Sequence, residues 1–129
     1  MQRDSQKPLP SVLIIDDEAV LRDFLSGILR SFNITSVRNA STLQRAEQIL
    51  AEEEIDIVFL DIQLNKENGL DELPLLKNWS PKTDFIMVSA HSSMDNARAA
   101  VAYGAKGFVV KPFTAKKIEG LLKTLNYLS

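Results

Sequence analysis

The sequence of 129 residues contains no cysteine and only one histidine. Without cysteine the chain can form neither a disulfide framework nor a thiolate metal site, and it has no thiol nucleophile. No apolar run approaches the roughly 18 residues that a membrane span requires. The N-terminal segment also lacks the apolar core of a signal peptide. We therefore expect a cytoplasmic protein without a membrane partner.

The chain also has little excess charge. It has fifteen Lys and Arg residues and seventeen Asp and Glu residues, which gives a formal net charge of −2. This balance argues against a protein that neutralises nucleic-acid phosphates, so we expect no direct nucleic-acid partner. A hydrophobic content of 45% and a length suited to one core indicate a single globular domain. We expect residues 1–10, which are polar and contain two prolines, to form a flexible tail before a domain over 11–129.

Short apolar runs alternate with segments of helical periodicity along the rest of the chain. Several runs are almost continuously apolar, which is typical of strands buried on both faces of a parallel sheet. Short connections and right-handed crossovers then favour an α/β fold with one doubly wound, five-stranded, flavodoxin-like sheet of order 2-1-3-4-5 and helices on both faces. The predicted strands cover residues 11–15, 34–38, 56–60, 85–89 and 107–110.

Several residues predict where helices begin, end and face. Ser41 and Gln44 can form a capping box at the start of the second helix. Gly104 is suited to a left-handed stop after the fourth helix, and Thr114 to a cap before the fifth. In the third helix, the inward face is predicted to carry Leu70, Leu73, Leu76 and Trp79.

Four of the predicted strands end at polar side chains: Asp16, Asp17 and Glu18 after the first, Asp61 after the third, Ser89 at the end of the fourth and Lys111 after the fifth. These ends share one edge of a parallel sheet, where ligands bind at the reversal of strand order. Clustered carboxylates need a cation, and all-oxygen ligands favour Mg²⁺. Glu18 is expected to help the first helix start rather than to bind metal.

Asp61 lies at the centre of this predicted edge, with acids on one side and Ser89 and Lys111 on the other. A carboxylate can attack phosphorus to form an acyl phosphate. A metal ion and Lys111 would then stabilise charge on the transferring oxygens, and Ser89 would donate a hydrogen bond to one of them. The residues thus favour phosphoryl transfer to Asp61.

Four motifs, "LIIDDE", "IVFLDIQL", "MVSA" and "GAKGFVVKPF", occur in this order over residues 11–128. With them the chain resembles the receiver domain of two-component response regulators, closest in plan to the stand-alone chemotaxis type. The resemblance implies that Asp61 accepts phosphate from a sensor histidine kinase or a phosphotransfer protein. It implies Mg²⁺ as the only cofactor, bound by Asp17 directly, by Asp16 partly through water, by Asp61 and by the backbone carbonyl of Gln63.

The resemblance also implies how the modified protein changes its surface. Lys111 would pair with Asp61 and then with the phosphoryl group, and the Lys111–Pro112 bond would be cis. Ser89 and Phe108 would be the switch residues. The face formed by helix 4, strand 5 and helix 5 would control a downstream protein, in a monomer or a phosphorylation-dependent dimer. Candidates for this face are Met94, Ala97, Ala100, Val101 and Tyr103.

Three departures from the commonest family pattern follow from the residues. Asn65 stands where a proline is frequent, which suggests a less rigid loop, and Phe108 replaces a frequent tyrosine. Gln63 and His91 lie two residues beyond Asp61 and Ser89, and we predict that they tune the lifetime of the phosphorylated state.

Two other classes of protein would need different residues at this site from those that a signalling module needs. One is a small phosphohydrolase with an aspartyl nucleophile, which normally carries an acid–base carboxylate where this chain has Gln63. The other is a flavin or nucleotide carrier, for which the acids after strand 1 would repel phosphate. We therefore expect a signalling protein that is not an enzyme, with the phosphohydrolase as the alternative.

Overall fold

The computed structural model describes residues 8–65, 67–91 and 93–129, so most of the predicted N-terminal tail lies outside the described residues. Five parallel strands form one sheet, in which the strands lie side by side in the order second, first, third, fourth and fifth along the chain. This order confirms the predicted doubly wound, flavodoxin-like fold. The strands are β1 (Val12–Ile15), β2 (Val37–Ala40), β3 (Ile57–Asp61), β4 (Asp84–Ser89) and β5 (Gly107–Val110).

Five helices cover the two faces of the sheet. They are α1 (Ala19–Ser31), α2 (Leu43–Glu52), α3 (Gly69–Trp79), α4 (Met94–Ala102) and α5 (Ala115–Thr124). The apolar sides of α2, α3 and α4 contribute to one core cluster, and those of α1 and α5 contribute to a second cluster. None of the helices in the described part of the chain is long and apolar enough to cross a membrane.

The strand sequences explain why the sheet lies between two cores. Every residue of β1 and of β3 is buried. Successive side chains of a strand point to opposite faces, so Val12 and Ile14 enter the cluster under α1 and α5 while Leu13 and Ile15 enter the other. Burial on both faces fixes the register of these strands, and with it the positions of Asp16, directly after β1, and Asp61, the last residue of β3.

The second strand lies further along the chain than the sequence predicts. The apolar Ile34 suggested a strand over 34–38, but Asn33 adopts a left-handed φ of 67° and the Ile34 N–H donates to the Leu29 carbonyl at 3.0 Å. Ile34 is thus buried as part of the turn that ends α1. The strand begins only at Val37, so the prediction for 34–38 is wrong in its position.

The helix signals are confirmed in part. Gly104 has a φ of 100°, and the Thr114 hydroxyl accepts the Lys117 N–H at 3.2 Å, as the sequence predicts. The predicted capping box at Ser41 is wrong by one residue, because Thr42 accepts the Arg45 N–H at 3.1 Å. Trp79 does not join the core, since 55% of it is exposed at the end of α3.

Candidate functional site

The first acids follow β1 directly and differ in their burial. Asp16 is buried, and its Oδ1 accepts the Glu18 N–H at 2.8 Å. The Arg22 guanidinium donates to the Asp16 backbone carbonyl at 2.7 Å, which ties this turn to α1. Glu18 occupies the N-cap position, but its side chain makes no capping hydrogen bond. Carboxylate oxygens of Asp16, Asp17 and Glu18 all lie within 4.8 Å of one another.

Lys111 connects these acids to Asp61. Its Nζ lies 3.1 Å from Asp16 Oδ2, 3.4 Å from Asp61 Oδ2 and 3.6 Å from Glu18 Oε1. The Asp16 and Asp61 side chains are only 6% and 4% exposed, and that of Lys111 is 12% exposed. The structure therefore brings together the residues that the sequence places at the ends of three strands. The Lys111–Pro112 bond is cis, which confirms that expectation.

Burial and local charge shift the proton affinities of this pair. Burial raises the pKa of Asp61 from 3.8 to about 6, the Lys111 charge opposes that shift, and the Asp16 charge adds to it. For Lys111, burial alone would lower the pKa, but the hydrogen bond to Asp16 and the charges of Asp61 and Asp16 outweigh burial and raise it above 10.5. The cost of burying the Asp61 carboxylate therefore exceeds what the Lys111 ammonium offsets.

The segment after Asp61 folds back in a short ribbon that contacts the Asp61 side chain. Gln63–Leu64 pairs with Glu67–Asn68 in a short antiparallel ribbon, and the Gln63 N–H donates to Asp61 Oδ1 at 3.1 Å. The Gly69 N–H donates to the Ile62 carbonyl at 2.6 Å. A Cβ on Gly69 would lie only 2.3 Å from the Asp61 backbone oxygen, so α3 can start here only with glycine. Sequence reasoning missed both the ribbon and this close approach.

The ribbon also reaches the acids after β1. The Asn65 N–H donates to Asp17 Oδ2 at 3.0 Å, and Asn65 has a left-handed φ of 55°. Asparagine tolerates this conformation better than most residues. The segment predicted as a loop is therefore a paired ribbon with a hydrogen bond to the exposed Asp17, and its lower rigidity stays a prediction.

The remaining predicted residues are Ser89, His91, Gln63 and Phe108. Ser89 is buried at the end of β4, and its Oγ accepts the His91 N–H at 3.1 Å. His91 and Gln63 are exposed. Phe108 is half-buried on β5 and packs against the core cluster under α2, α3 and α4. The roles of Ser89 and Phe108 as switch residues, and of Gln63 and His91 in tuning, stay predictions.

The donor set fits a divalent cation. The clustered side chains of Asp16, Asp17 and Glu18 offer only carboxylate oxygens, which suit Mg²⁺ or Ca²⁺. Burial raises the pKa of Asp61, so its carboxylate is costly to ionise there even with Lys111 beside it. A cation beside Asp16 and Asp17 would favour the ionised form of all these carboxylates.

Comparisons with known sequences agree with this geometry. Residues 12–123 match the family model of the response regulator receiver domain. The transcriptional regulatory protein DcuR of Escherichia coli (strain K12) is 35% identical over 115 residues, which make up 87% of this chain and 48% of DcuR. The chain thus spans about half the length of DcuR. The alginate biosynthesis transcriptional regulatory protein AlgB of Pseudomonas aeruginosa is 36% identical over 107 residues, 78% of this chain and 22% of AlgB.

Solved structures of response regulators have the same architecture as this chain. A response regulator from Burkholderia pseudomallei, with a phosphorylated aspartic acid, calcium ion and citrate, aligns with a TM-score of 0.80 at 25% identity and covers 92% of this chain and 67% of its own. The beryllofluoride-activated NtrC4 receiver domain dimer aligns with a TM-score of 0.82 at 29% identity, over 91% of this chain and 98% of its own.

Proposed function

The chain belongs to the response regulator receiver domain family, and on that premise we propose that it accepts a phosphoryl group on Asp61 from a sensor histidine kinase or a histidine phosphotransfer protein. The observation that carries the proposal is the placement of the Asp61 carboxylate. It lies at the carboxyl end of the central strand, 3.4 Å from the Lys111 ammonium, which is also 3.1 Å from Asp16 Oδ2. The proposed nucleophile thus lies beside a positive charge and an acidic cluster.

In the proposed transfer, an Asp61 carboxylate oxygen attacks phosphorus and the P–N bond of the phosphohistidine breaks. Asp61 must be ionised to attack, which its pKa of about 6 permits at neutral pH. Lys111 stands close enough to neutralise charge on the phosphoryl oxygens. Asp16, Asp17, Asp61 and the backbone carbonyl of Gln63 would hold Mg²⁺, which supplies further positive charge against those oxygens when it is bound.

A protein donor is supported by the surface next to the site. Val20 and Phe24 on α1 are 78% and 51% exposed. With Pro112 they line an apolar groove of about 460 Å³ that also includes Lys111. Large exposed apolar side chains around a reactive group are typical of a protein-binding surface. A docked donor could therefore contact this rim while its phosphohistidine reaches Asp61.

The proposed output is a change of the surface formed by α4, β5 and α5. Phosphorylation would bias a two-state equilibrium in which Ser89 and Phe108 change position. Phe108 lines a groove of about 390 Å³ with Lys117, Gly120 and Leu121. Of the predicted contact residues, Met94, Val101 and Tyr103 are exposed, whereas Ala100 is fully buried and cannot contact a partner.

The relatives limit what can be proposed about the partners of this chain. DcuR and AlgB are transcriptional regulatory proteins that extend well beyond the matched region. The absence of direct nucleic-acid contact therefore stays a prediction that rests on the net charge of −2. Phosphorylation-dependent dimerisation is likewise a proposal. The phosphohydrolase alternative is disfavoured because Gln63, two residues after the nucleophile, cannot serve as an acid–base group.

The test is phosphorylation by a small donor. We expect incubation with acetyl phosphate and Mg²⁺ to give a single phosphoryl adduct in mass spectrometry, and Asp61→Asn to abolish it. Asp71→Asn, which changes an exposed aspartate in the first turn of α3, is the matched control and should be modified normally. An adduct that persists in Asp61→Asn, or none in the wild-type protein, would contradict the proposal.

A further inference from the structure

We propose that Asn65 is a positioning residue whose backbone amide orients Asp17 for metal binding. The inference rests on the proposed function, because it concerns the Mg²⁺ ligands of that site. It assigns a role to the ribbon of Gln63–Leu64 and Glu67–Asn68, which holds Asn65 at its turn. It also explains a departure from the family pattern at position 65.

The contact joins two segments that are distant in sequence. The Asn65 N–H donates to Asp17 Oδ2 at 3.0 Å across 48 residues of chain. The side-chain amide of Asn65 makes a longer contact of 3.4 Å to the Ser41 carbonyl, after β2. Asn65 therefore links the loops that follow β1, β2 and β3, all at the edge that carries the site.

Asp17 needs such a partner more than Asp16 does. Asp16 is buried and is held by Lys111 and by the Glu18 N–H. Asp17 is exposed, so its side chain would otherwise sample several rotamers in water. A hydrogen bond from an N–H to a carboxylate is among the stronger protein hydrogen bonds. The Asn65 N–H holds Oδ2 and so limits the orientations of the carboxylate. Oδ1 keeps its lone pairs free to bind a cation.

A proline at position 65 could not make this contact. Proline has no N–H, and its ring fixes φ near −65°, whereas Asn65 has a φ of 55°. Asparagine and glycine are the residues that adopt a left-handed φ most readily. The structure therefore assigns two separate requirements to this position, a positive φ and a free amide. Glycine meets both and proline meets neither.

The test compares Asn65→Gly with Asn65→Pro by calorimetric titration with Mg²⁺ alone. Loss of a group that orients a metal ligand typically weakens metal binding by about 10–100-fold. We expect Asn65→Pro to weaken binding by about tenfold, at the lower end because the contact is exposed. Asn65→Gly should stay within about threefold of the wild type. Wild-type affinity in Asn65→Pro would overturn the proposal, and so would an equal loss in Asn65→Gly, since that would point to the side chain.

A second measurement does not depend on how the proline variant folds. Hydrogen exchange should show that Asp17→Ala accelerates exchange of the Asn65 amide several-fold. The Gly69 amide, which is bonded to the Ile62 carbonyl, should exchange as in the wild type. An Asn65 amide equally protected in both proteins would refute the contact. Failure of the wild-type protein to bind Mg²⁺ at all would overturn the proposed function as well, which separates the two failures.

Discussion

Gly69 offers the sharpest test of the geometry around Asp61. A Cβ added at Gly69 would lie 2.3 Å from the Asp61 backbone oxygen, 3.2 Å from the Asp61 carbonyl carbon and 3.3 Å from the Ile62 Cα. Contacts of a Cβ below 3.0 Å essentially never occur, so the backbone must separate by at least 0.7 Å, the difference between 3.0 and 2.3 Å. The atoms are backbone atoms and cannot rotate away as a flexible side chain would.

The cost of Gly69→Ala follows from what has to move. Either α3 shifts away from β3, or the end of β3 shifts away from its neighbours. In both cases the 2.6 Å hydrogen bond from Gly69 to the Ile62 carbonyl is strained. Overpacking of this kind typically costs about 1–3 kcal/mol. We therefore expect the free energy of unfolding to fall by that amount.

The same shift should impair the chemistry. The Asp61 carbonyl and carboxylate belong to one residue, so moving the backbone changes the position of the carboxylate relative to Lys111. A displacement near 1 Å can reduce a reaction rate by about 100-fold. We expect phosphorylation of Gly69→Ala by acetyl phosphate to slow by at least about tenfold.

Urea unfolding monitored by circular dichroism, with Gly120→Ala as the matched control, measures the stability change. Gly120 lies within α5 and an added Cβ there meets nothing within 4 Å. Alanine should therefore stabilise that helix by about 0.5–1 kcal/mol. The two glycine substitutions should change stability in opposite directions. A Gly69→Ala protein as stable as the wild type would refute the steric reasoning.

Three further predictions concern titrating groups and turnover of the phosphoryl group. Because burial raises the pKa of Asp61 from 3.8 to about 6, the stability that protonated Asp61 contributes is full below pH 3.8 and is lost as the pH rises through 6. In metal-free buffer, Asp61→Asn should thus be more stable than the wild type at pH 8 by about 1–3 kcal/mol in urea unfolding, and no more stable at pH 4. The buried Tyr127 hydroxyl donates to Asp84 Oδ2 at 2.7 Å, and burial followed by Asp84 raises the pKa of Tyr127 above 10.0. Tyr127→Phe should cost about 1–3 kcal/mol at pH 7, and this difference should shrink above pH 10, where the unfolded phenol ionises and the folded one does not. Gln63→Ala and His91→Ala should change the dephosphorylation rate of the phosphorylated protein in a time course, and unchanged rates in both would exclude the tuning role.

The fold was largely predictable because burial on both faces leaves a strong pattern. Strand β1 is a continuous apolar run, and β3 is one up to its last residue, Asp61; the predicted bounds of both lie within one residue of those observed. Strand β2 was misplaced because it is an edge strand with partly exposed residues, while the buried Ile34 belongs to a helix-ending turn. An apolar residue indicates that its side chain is buried. It does not indicate whether that residue lies in a strand, a helix or a turn. The same limit explains Trp79, an apolar residue at helical spacing that lies beyond the core.

The site was predictable where topology alone brings side chains to one edge, as for Asp16, Asp61 and Lys111. The contacts that hold those side chains were not predictable. They are made by backbone amides such as those of Gln63 and Asn65, and every residue except proline has an amide. Where an amide points depends on φ and ψ, which residue types constrain only at special positions. Asn65 is at such a position, because asparagine is one of the few residue types that readily adopt a left-handed φ.

The burial of Asp61 restricts the shape of any molecule that can serve as its donor. Only 4% of its side chain is exposed, at the end of the central strand, where its Oδ1 accepts the Gln63 N–H and its Oδ2 lies beside Lys111. A phosphoryl group on a flat or rigid surface cannot reach this carboxylate. A small free donor can enter, and so can a phosphorylated side chain that projects beyond the helix bearing it. For the proposed transfer, a donor must therefore extend its phosphoryl group far enough to contact the buried carboxylate. This requirement applies in addition to any contact that the donor makes with the surface around the site.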